Sequence, residues 1–333
     1  MLLVLCLSVT VLASFKGFPT IDETEQKLSV FPEFIVGRSF EGRPIRMYLV
    51  TDAPHSRQVV EDADGKFEVP SVGVPCLLLT AMHHAREPLS LTTATQLLFQ
   101  NFVSDKALRK SRCVAFIPFV NPDGYAFICQ TGFLMARKNR RPTCEAATHS
   151  GVDLNRNYGF HWAHQYPKCS LDEYEGSGAF SEPESRAIRR VARNMKTVVS
   201  ALNFHSFGKG EWAIPYNCCA DLSIPRWARV VVDDLKSVEG MNPLHSAPSN
   251  PALGYTTSGE ADDYLLNEFN ILSASPEVGK EFWPADATRA IQAATEENQV
   301  GFREWLRITG PRLRVKWVGD STVELTNTLV CRL

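Results

Sequence analysis

Four apolar runs of strand length, at 74–80, 113–120, 197–204 and 269–274, are separated by segments with helical spacing at 89–103, 182–195, 224–238 and 287–306. In a strand, successive side chains point to opposite faces, so an unbroken apolar run needs cover on both sides. Helices that alternate with the strands provide that cover. The pattern therefore predicts an α/β fold: a single large domain with a mixed, mostly parallel, twisted sheet flanked by helices. Residues 36–52, VGRSFEGRPIRMYLVTD, read as two further short strands around a turn that contains glycine.

Each apolar run empties into polar residues. The first leads to HHARE at 83–87, the second to NPDGY at 121–125, the third to His205 and Ser206, and the fourth to Pro276 and Glu277. Open α/β sheets bind ligands beyond the carboxyl ends of their strands. Any one of these exits could simply cap a strand as it reaches water. Four together are expected to meet in one place.

The chain has 333 residues, 44% hydrophobic and 22% charged, enough for a sizeable core. With a net charge of −2 it offers no global attraction to nucleic acid or anionic membrane. The opening MLLVLCLSVTVLASFKG carries an apolar run too short to span a bilayer, followed by small residues. Residues 1–14 are read as a signal peptide, although a basic segment before the run is missing; the alternative is a first element of the fold. A signal implies secretion, and its absence a cytoplasmic protein. No later segment suits stable membrane insertion. Of nine cysteines, eight remain if Cys6 leaves with the signal, which permits disulfides. Residues 16–308 form the expected catalytic domain. The tail at 310–333 alternates polar and apolar residues around a Gly-Asp turn and reads as two strands, either an appended hairpin or the start of a truncated β-domain.

Zinc takes imidazole and carboxylate ligands, and a catalytic zinc keeps one position for water. His84 and Glu87 are three residues apart, so they lie close on one turn and can grip one ion. An HExxH motif is absent from the sequence. A third ligand must then come from elsewhere, and His205 stands at another strand end.

HAREP at 84–88, NPDGY at 121–125, ARKNRR at 136–141, GVDLNRNY at 151–158, LNFHSFG at 202–208 and SPEVG at 275–279 resemble, in order and spacing, the zinc metallocarboxypeptidases of the carboxypeptidase A/B type. The resemblance covers roughly residues 20–308. It implies a metallocarboxypeptidase-like fold and one Zn²⁺ per chain, held by His84, Glu87 and His205. It makes Glu277 the general base and Arg137 the stabiliser of the oxyanion. Asn155 and Arg156 would take the C-terminal carboxylate of the substrate, which a guanidinium can bind bidentately. Tyr255 resembles a mobile tyrosine that closes over substrate. Asp262 lies where the family places a determinant of side-chain choice, and an acid there points to C-terminal Lys or Arg. Arg86 either assists the substrate or makes a buried ion pair. Asp153 could orient a zinc-bound imidazole. A disulfide between Cys144 and Cys169 is also implied.

Other residues carry no assigned chemistry. His83 is read as a packed or capping histidine, His161 and His164 as structural or exposed, Asn157 as structural, and Lys138 and Arg141 as scaffold. The sequence departs from the family at Phe207 and Tyr264, where related enzymes carry Tyr and often Trp. Digestive relatives also have a long pro-segment, whereas only about 16–20 residues precede the first matching stretch here. The protein is then either made active or a fragment.

The leading expectation is a monomeric zinc exopeptidase acting on peptide or protein C-termini, with a preference for Lys or Arg. The alternatives are apolar or mixed specificity, a cell-wall γ-glutamyl-diaminoacyl peptidase, and a non-catalytic binding module on the same scaffold.

Overall fold

Eight strands make one sheet, in the order β1-β2-β6-β5-β7-β10-β8-β9. The structure, a computed structural model, describes residues 14–146, 148–219, 221–246 and 256–310, together with the backbone of two short strands further on. Along the chain the elements are α1 (Ile21–Leu28), β1 (Glu33–Arg38), β2 (Pro44–Val50), β3 (His55–Asp62), β4 (Gly65–Val72), β5 (Cys76–Ala81), α2 (Pro88–Leu98), α3 (Lys106–Ser111), β6 (Cys113–Ile117) and α4 (Pro122–Thr131). Then come α5 (Pro183–Asn194), β7 (Val198–Phe204), β8 (Glu211–Ala213), α6 (Arg226–Lys236), β9 (Leu244–His245), α7 (Ala261–Phe269), β10 (Leu272–Glu277), α8 (Ala287–Glu297) and α9 (Gln299–Ile308). Beyond them, β11 (Val315–Trp317) and β12 (Val323–Leu325) pair antiparallel, within the tail where two strands were expected. The apolar segment at 1–13, read as a signal, lies outside the described residues.

The mixed, mostly parallel sheet is as expected. Its centre, β6-β5-β7-β10, is parallel, and β1 and β2 extend it antiparallel at one side. Alternation along the strands splits the core into two layers. Leu77, Leu79, Phe116, Leu202 and Phe204 face a cluster with Leu91, Leu98, Phe302 and Trp305. Leu78, Ala115, Ile117 and Ala201 face the other, with Ile188, Val191 and Leu265. This explains the unbroken apolar runs: both faces are buried. Burying one such side chain contributes about 1.5–3 kcal/mol. Across β5 and β6 the registered pair Cys76 and Cys113 is joined by a disulfide.

Several boundaries differ from the sequence reading, each for a local reason. The segment at 89–103 is not one regular helix: it turns π-helical over Phe99–Val103, where the Asn101 side chain donates to the Leu97 carbonyl. A regular helix would give that carbonyl to a backbone N–H. The segment at 287–306 breaks at Asn298, whose side chain bonds back to Ala294 and accepts from the Trp212 indole. The last central strand lies later than 269–274, because Phe269 ends α7 and Asn270 follows in the left-handed conformation. The hairpin of β3 and β4 has a mostly exposed first strand, so it left no apolar signature.

Below the sheet's polar end, the start of α5 holds two buried acids. Glu182 and Glu184 share the Asn139 side-chain amide, at 2.7 and 3.2 Å, and the Phe40 N–H donates to Glu184. Burial, reinforced by the neighbouring Glu182, pushes Glu184 up to about 8. A raised acid keeps its proton in the folded state while the unfolded chain loses it, so this residue's contribution weakens stability as pH rises from about 4.5 to 8. Glu184→Gln is therefore expected to stabilise the protein at pH 8 by about 3–4 kcal/mol relative to its effect at pH 5. Urea unfolding of both proteins at the two pH values checks this, and an equal effect at both would contradict it.

Candidate metal centre and active site

The loop after β5 and the end of β7 bring three ligand-type side chains together. Glu87 immediately precedes α2, whose first residue is Pro88, yet its carboxylate makes no capping bond to that helix. It turns instead to two imidazoles: Oε1 lies 2.7 Å from His84 Nδ1, and Oε2 lies 3.0 Å from His205 Nδ1. The two Nδ1 atoms are 3.2 Å apart. All three side chains are buried. The Ser206 N–H donates to Glu87 Oε2, and the peptide bond after Ser206 is cis.

This donor set fits a metal ion. His84 Nε2 lies 3.0 Å from Asp153 Oδ1, which leaves Nδ1 directed at Glu87 and His205. Two imidazole nitrogens and a carboxylate thus converge on one point, the donor types that zinc takes. Four ligands around zinc at about 2.1 Å stand roughly 3.4 Å from one another, close to the separations seen here. Burial alone would raise Glu87, but the imidazoles of His84 and His205 hold it below the usual carboxylate range. Burial keeps His205 below its ordinary value, hence neutral and able to ligate.

Asp153 joins the ligand set to a fixed cation. Its other oxygen accepts from Arg137, at 2.9 Å from Nε and 2.7 Å from Nη2. Burial opposes ionisation of Asp153, yet Arg137 and His84 hold it well below its usual range. Arg137 Nη1 lies 3.2 Å from His84 Nδ1 and 3.8 Å from Glu87 Oε1, so its guanidinium stands at the edge of the centre. Glu277 is held by the backbone: the His205 N–H donates to the Pro276 carbonyl, and the Val278 N–H to that of His205. Burial, then the charge of Glu87, pushes the Glu277 carboxyl well above its usual range.

The remaining predicted residues divide. Asn155 lies against the centre, its Nδ2 3.3 Å from His205 Nε2 and its Oδ1 accepting from the Ala261 N–H. Arg156 is buried and paired with Glu260 at 3.0 Å. Asp262 is buried; Oδ2 accepts from Ser275 at 2.5 Å, and Oδ1 has no hydrogen-bond partner among the described residues. Arg86 pairs with Asp172 at 2.8 Å and stacks on Phe282. Tyr255 lies outside the described residues. His83 is packed, bonding Tyr158 at 2.8 Å. Lys138 donates to three backbone carbonyls, Arg141 pairs with Glu182, and the Asn157 amide ties Glu175 and Gly178 together. Disulfides join Cys144 to Cys169 and the adjacent Cys218 and Cys219. Phe207 is 45% exposed and packs on Phe282, while Tyr264 packs on Phe180.

Glu260 carried no role in the sequence reading. Only its position two residues before Asp262 could have drawn notice, and nothing in the sequence announces its ion pair.

The zinc carboxypeptidase family pattern matches residues 20–301. The chain belongs to the zinc carboxypeptidase family. Among curated relatives, carboxypeptidase B of Astacus astacus is 30% identical over 250 residues, 70% of this chain and 74% of that protein. Zinc carboxypeptidase A 1 of Anopheles gambiae is 37% identical over 148 residues, 41% of this chain and 33% of that protein. The matched stretches thus span between a third and three quarters of these relatives. Carboxypeptidase A of Helicoverpa armigera shares the fold, with a TM-score of 0.66 at 22% identity over 91% of this chain and 76% of that one. His84, Glu87 and His205 form a candidate site for the family's zinc.

His84→Ala is expected to abolish stoichiometric zinc. Asp153→Asn, which keeps all three ligands but weakens the grip on His84, should loosen zinc about 10–100-fold. Competition with a chelator, read by metal analysis, separates the two effects. An Asp153→Asn protein that holds zinc like the wild type would remove Asp153 from the centre.

Proposed function

We propose that this chain is a zinc-dependent exopeptidase that hydrolyses the last peptide bond of peptides and proteins with a free C-terminus. The observation that carries the reading is the joining of the ligand set to Glu277 on one side, through the His205 backbone, and to Arg137 on the other, through Asp153. Zinc, when bound, supplies Lewis acidity and makes water a nucleophile near neutral pH.

The chain's own residues do the rest. Glu277 takes a proton from the attacking water and passes it to the leaving amine. Arg137, preset by Asp153, donates to the oxyanion that develops on the scissile carbonyl. A fixed donor of this kind contributes a few kcal/mol to the transition state. Arg156, with Asn155 beside it, receives the terminal carboxylate and restricts cleavage to chain ends. Tyr255 closes over the bound end. Arg86, committed to Asp172, acts by holding the loop rather than by touching substrate.

A preference for C-terminal Lys or Arg is the finer part of the proposal. Its support is the pair of buried acids Glu260 and Asp262, the latter with one oxygen unpartnered among the described residues. Secretion, proposed from the N-terminal apolar run, is supported by the three disulfides, which belong to oxidising compartments. Among the described residues no helix is long and apolar enough to cross a membrane.

Glu277→Gln should keep zinc and lower kcat by about 10²–10⁴-fold. Rates near wild type would take the base role from Glu277. Peptides ending in a free carboxylate should lose single residues, while the same peptides with a C-terminal amide should stay intact. Mass spectrometry of both reports the outcome, and cleavage of the amides at equal rate would contradict the exopeptidase reading.

A further inference from the structure

Arg156 already has a carboxylate beside it. Its Nη1 donates to Glu260 Oε1 at 3.0 Å, and the two side chains are only 2% and 7% exposed. Glu260 immediately precedes α7, yet its side chain makes no capping bond there. The Ala261 N–H is bound instead by Asn155 Oδ1. The Glu260 carboxylate is thus turned away from the helix and toward the guanidinium.

The backbone fixes this placement. Gly259 has a φ of +64°, and a Cβ on it would lie 2.4 Å from the Arg156 carbonyl oxygen. Its own carbonyl accepts from the Tyr158 N–H. Only glycine lets the segment that carries Glu260 sit so tightly on the segment that carries Arg156.

A charge argument follows. Glu260 and Arg156 together are neutral. A substrate's terminal carboxylate brings a second negative charge to the same guanidinium, in a place with little water to screen it. Guanidinium offers five N–H donors, so two carboxylates can share it geometrically. Their mutual repulsion remains, and it is strong where the effective dielectric is low. Asp262 adds little to it: burial, then Glu260 and Asp263, push its carboxyl well above the usual range. A positive charge on the substrate's own side chain offsets that repulsion.

We infer that Glu260 is a specificity-determining residue: by neutralising Arg156 it favours a terminal residue that brings its own positive charge together with its carboxylate, and disfavours one that brings the carboxylate alone. The inference deepens the proposal above and rests on Arg156 as the receiver of the carboxylate. It transfers the choice of Lys or Arg from Asp262 acting by itself to the Glu260–Arg156 pair.

The test is a binding measurement that needs no turnover. Zinc-loaded full-length protein is titrated calorimetrically with Nα-acetyl-arginine, with Nα-acetyl-citrulline, which has the same shape without the charge, and with Nα-acetyl-argininamide, which lacks the carboxylate. Wild type is expected to bind the arginine compound at least tenfold more tightly than the citrulline compound. Glu260→Gln should reduce that ratio to threefold or less and tighten citrulline binding, because Arg156 is released for the carboxylate. Glu260→Asp, which keeps the charge, should restore most of the preference, and its thermal unfolding beside that of Glu260→Gln shows that both are folded. An unchanged ratio in Glu260→Gln would overturn the role of Glu260 while leaving the carboxylate site standing. Equal wild-type binding of the arginine compound and its amide, or no binding of either, would overturn the reading of Arg156 and the inference with it.

Discussion

The carboxylate of Glu87 lies between two buried imidazoles, and the rest of the centre is arranged around that contact. Glu87 and His84 come from one loop after β5, and His205 from the end of β7 next to it in the sheet. Burying a carboxylate is costly unless charge or hydrogen bonds compensate it. Here the imidazoles and the Ser206 N–H do so in part, and a bound dication would add to it. The same contact explains why α2 begins without a side-chain cap: the residue in the capping position is used elsewhere.

Around this centre, opposite charges are paired in a graded way. Asp153 ties Arg137 to His84, so the cation proposed to face a developing oxyanion and a proposed ligand are held by one carboxylate. Glu260 ties up Arg156 similarly on the substrate side. Such pairs are weak evidence for stability, because desolvation offsets most of the attraction. Their value lies in fixing geometry before substrate arrives, so that less is lost in ordering side chains on binding.

Much of this was legible in the sequence. The alternation of apolar runs with helical segments gave the sheet and its cover, and the polar strand exits gave the meeting place of His84, Glu87, His205 and Glu277. The ordered motifs added Arg137, Asp153, Asn155 and Arg156. What remained hidden was set by single side-chain choices. No pattern announces that Asn101 takes a carbonyl from a helix, or that Asn298 breaks one. The β3–β4 hairpin hid because its first strand is exposed on nearly every residue. Glu260 hid because its partner lies 104 residues away, and only the fold brings them together.

The most direct test of the account is anomalous diffraction at the zinc edge from crystals of the zinc-loaded protein. A single strong peak within about 2.2 Å of His84 Nδ1, His205 Nδ1 and a Glu87 oxygen is the predicted result. A protein that takes up zinc but shows its peak elsewhere, or these three side chains turned apart around no metal at all, would contradict it.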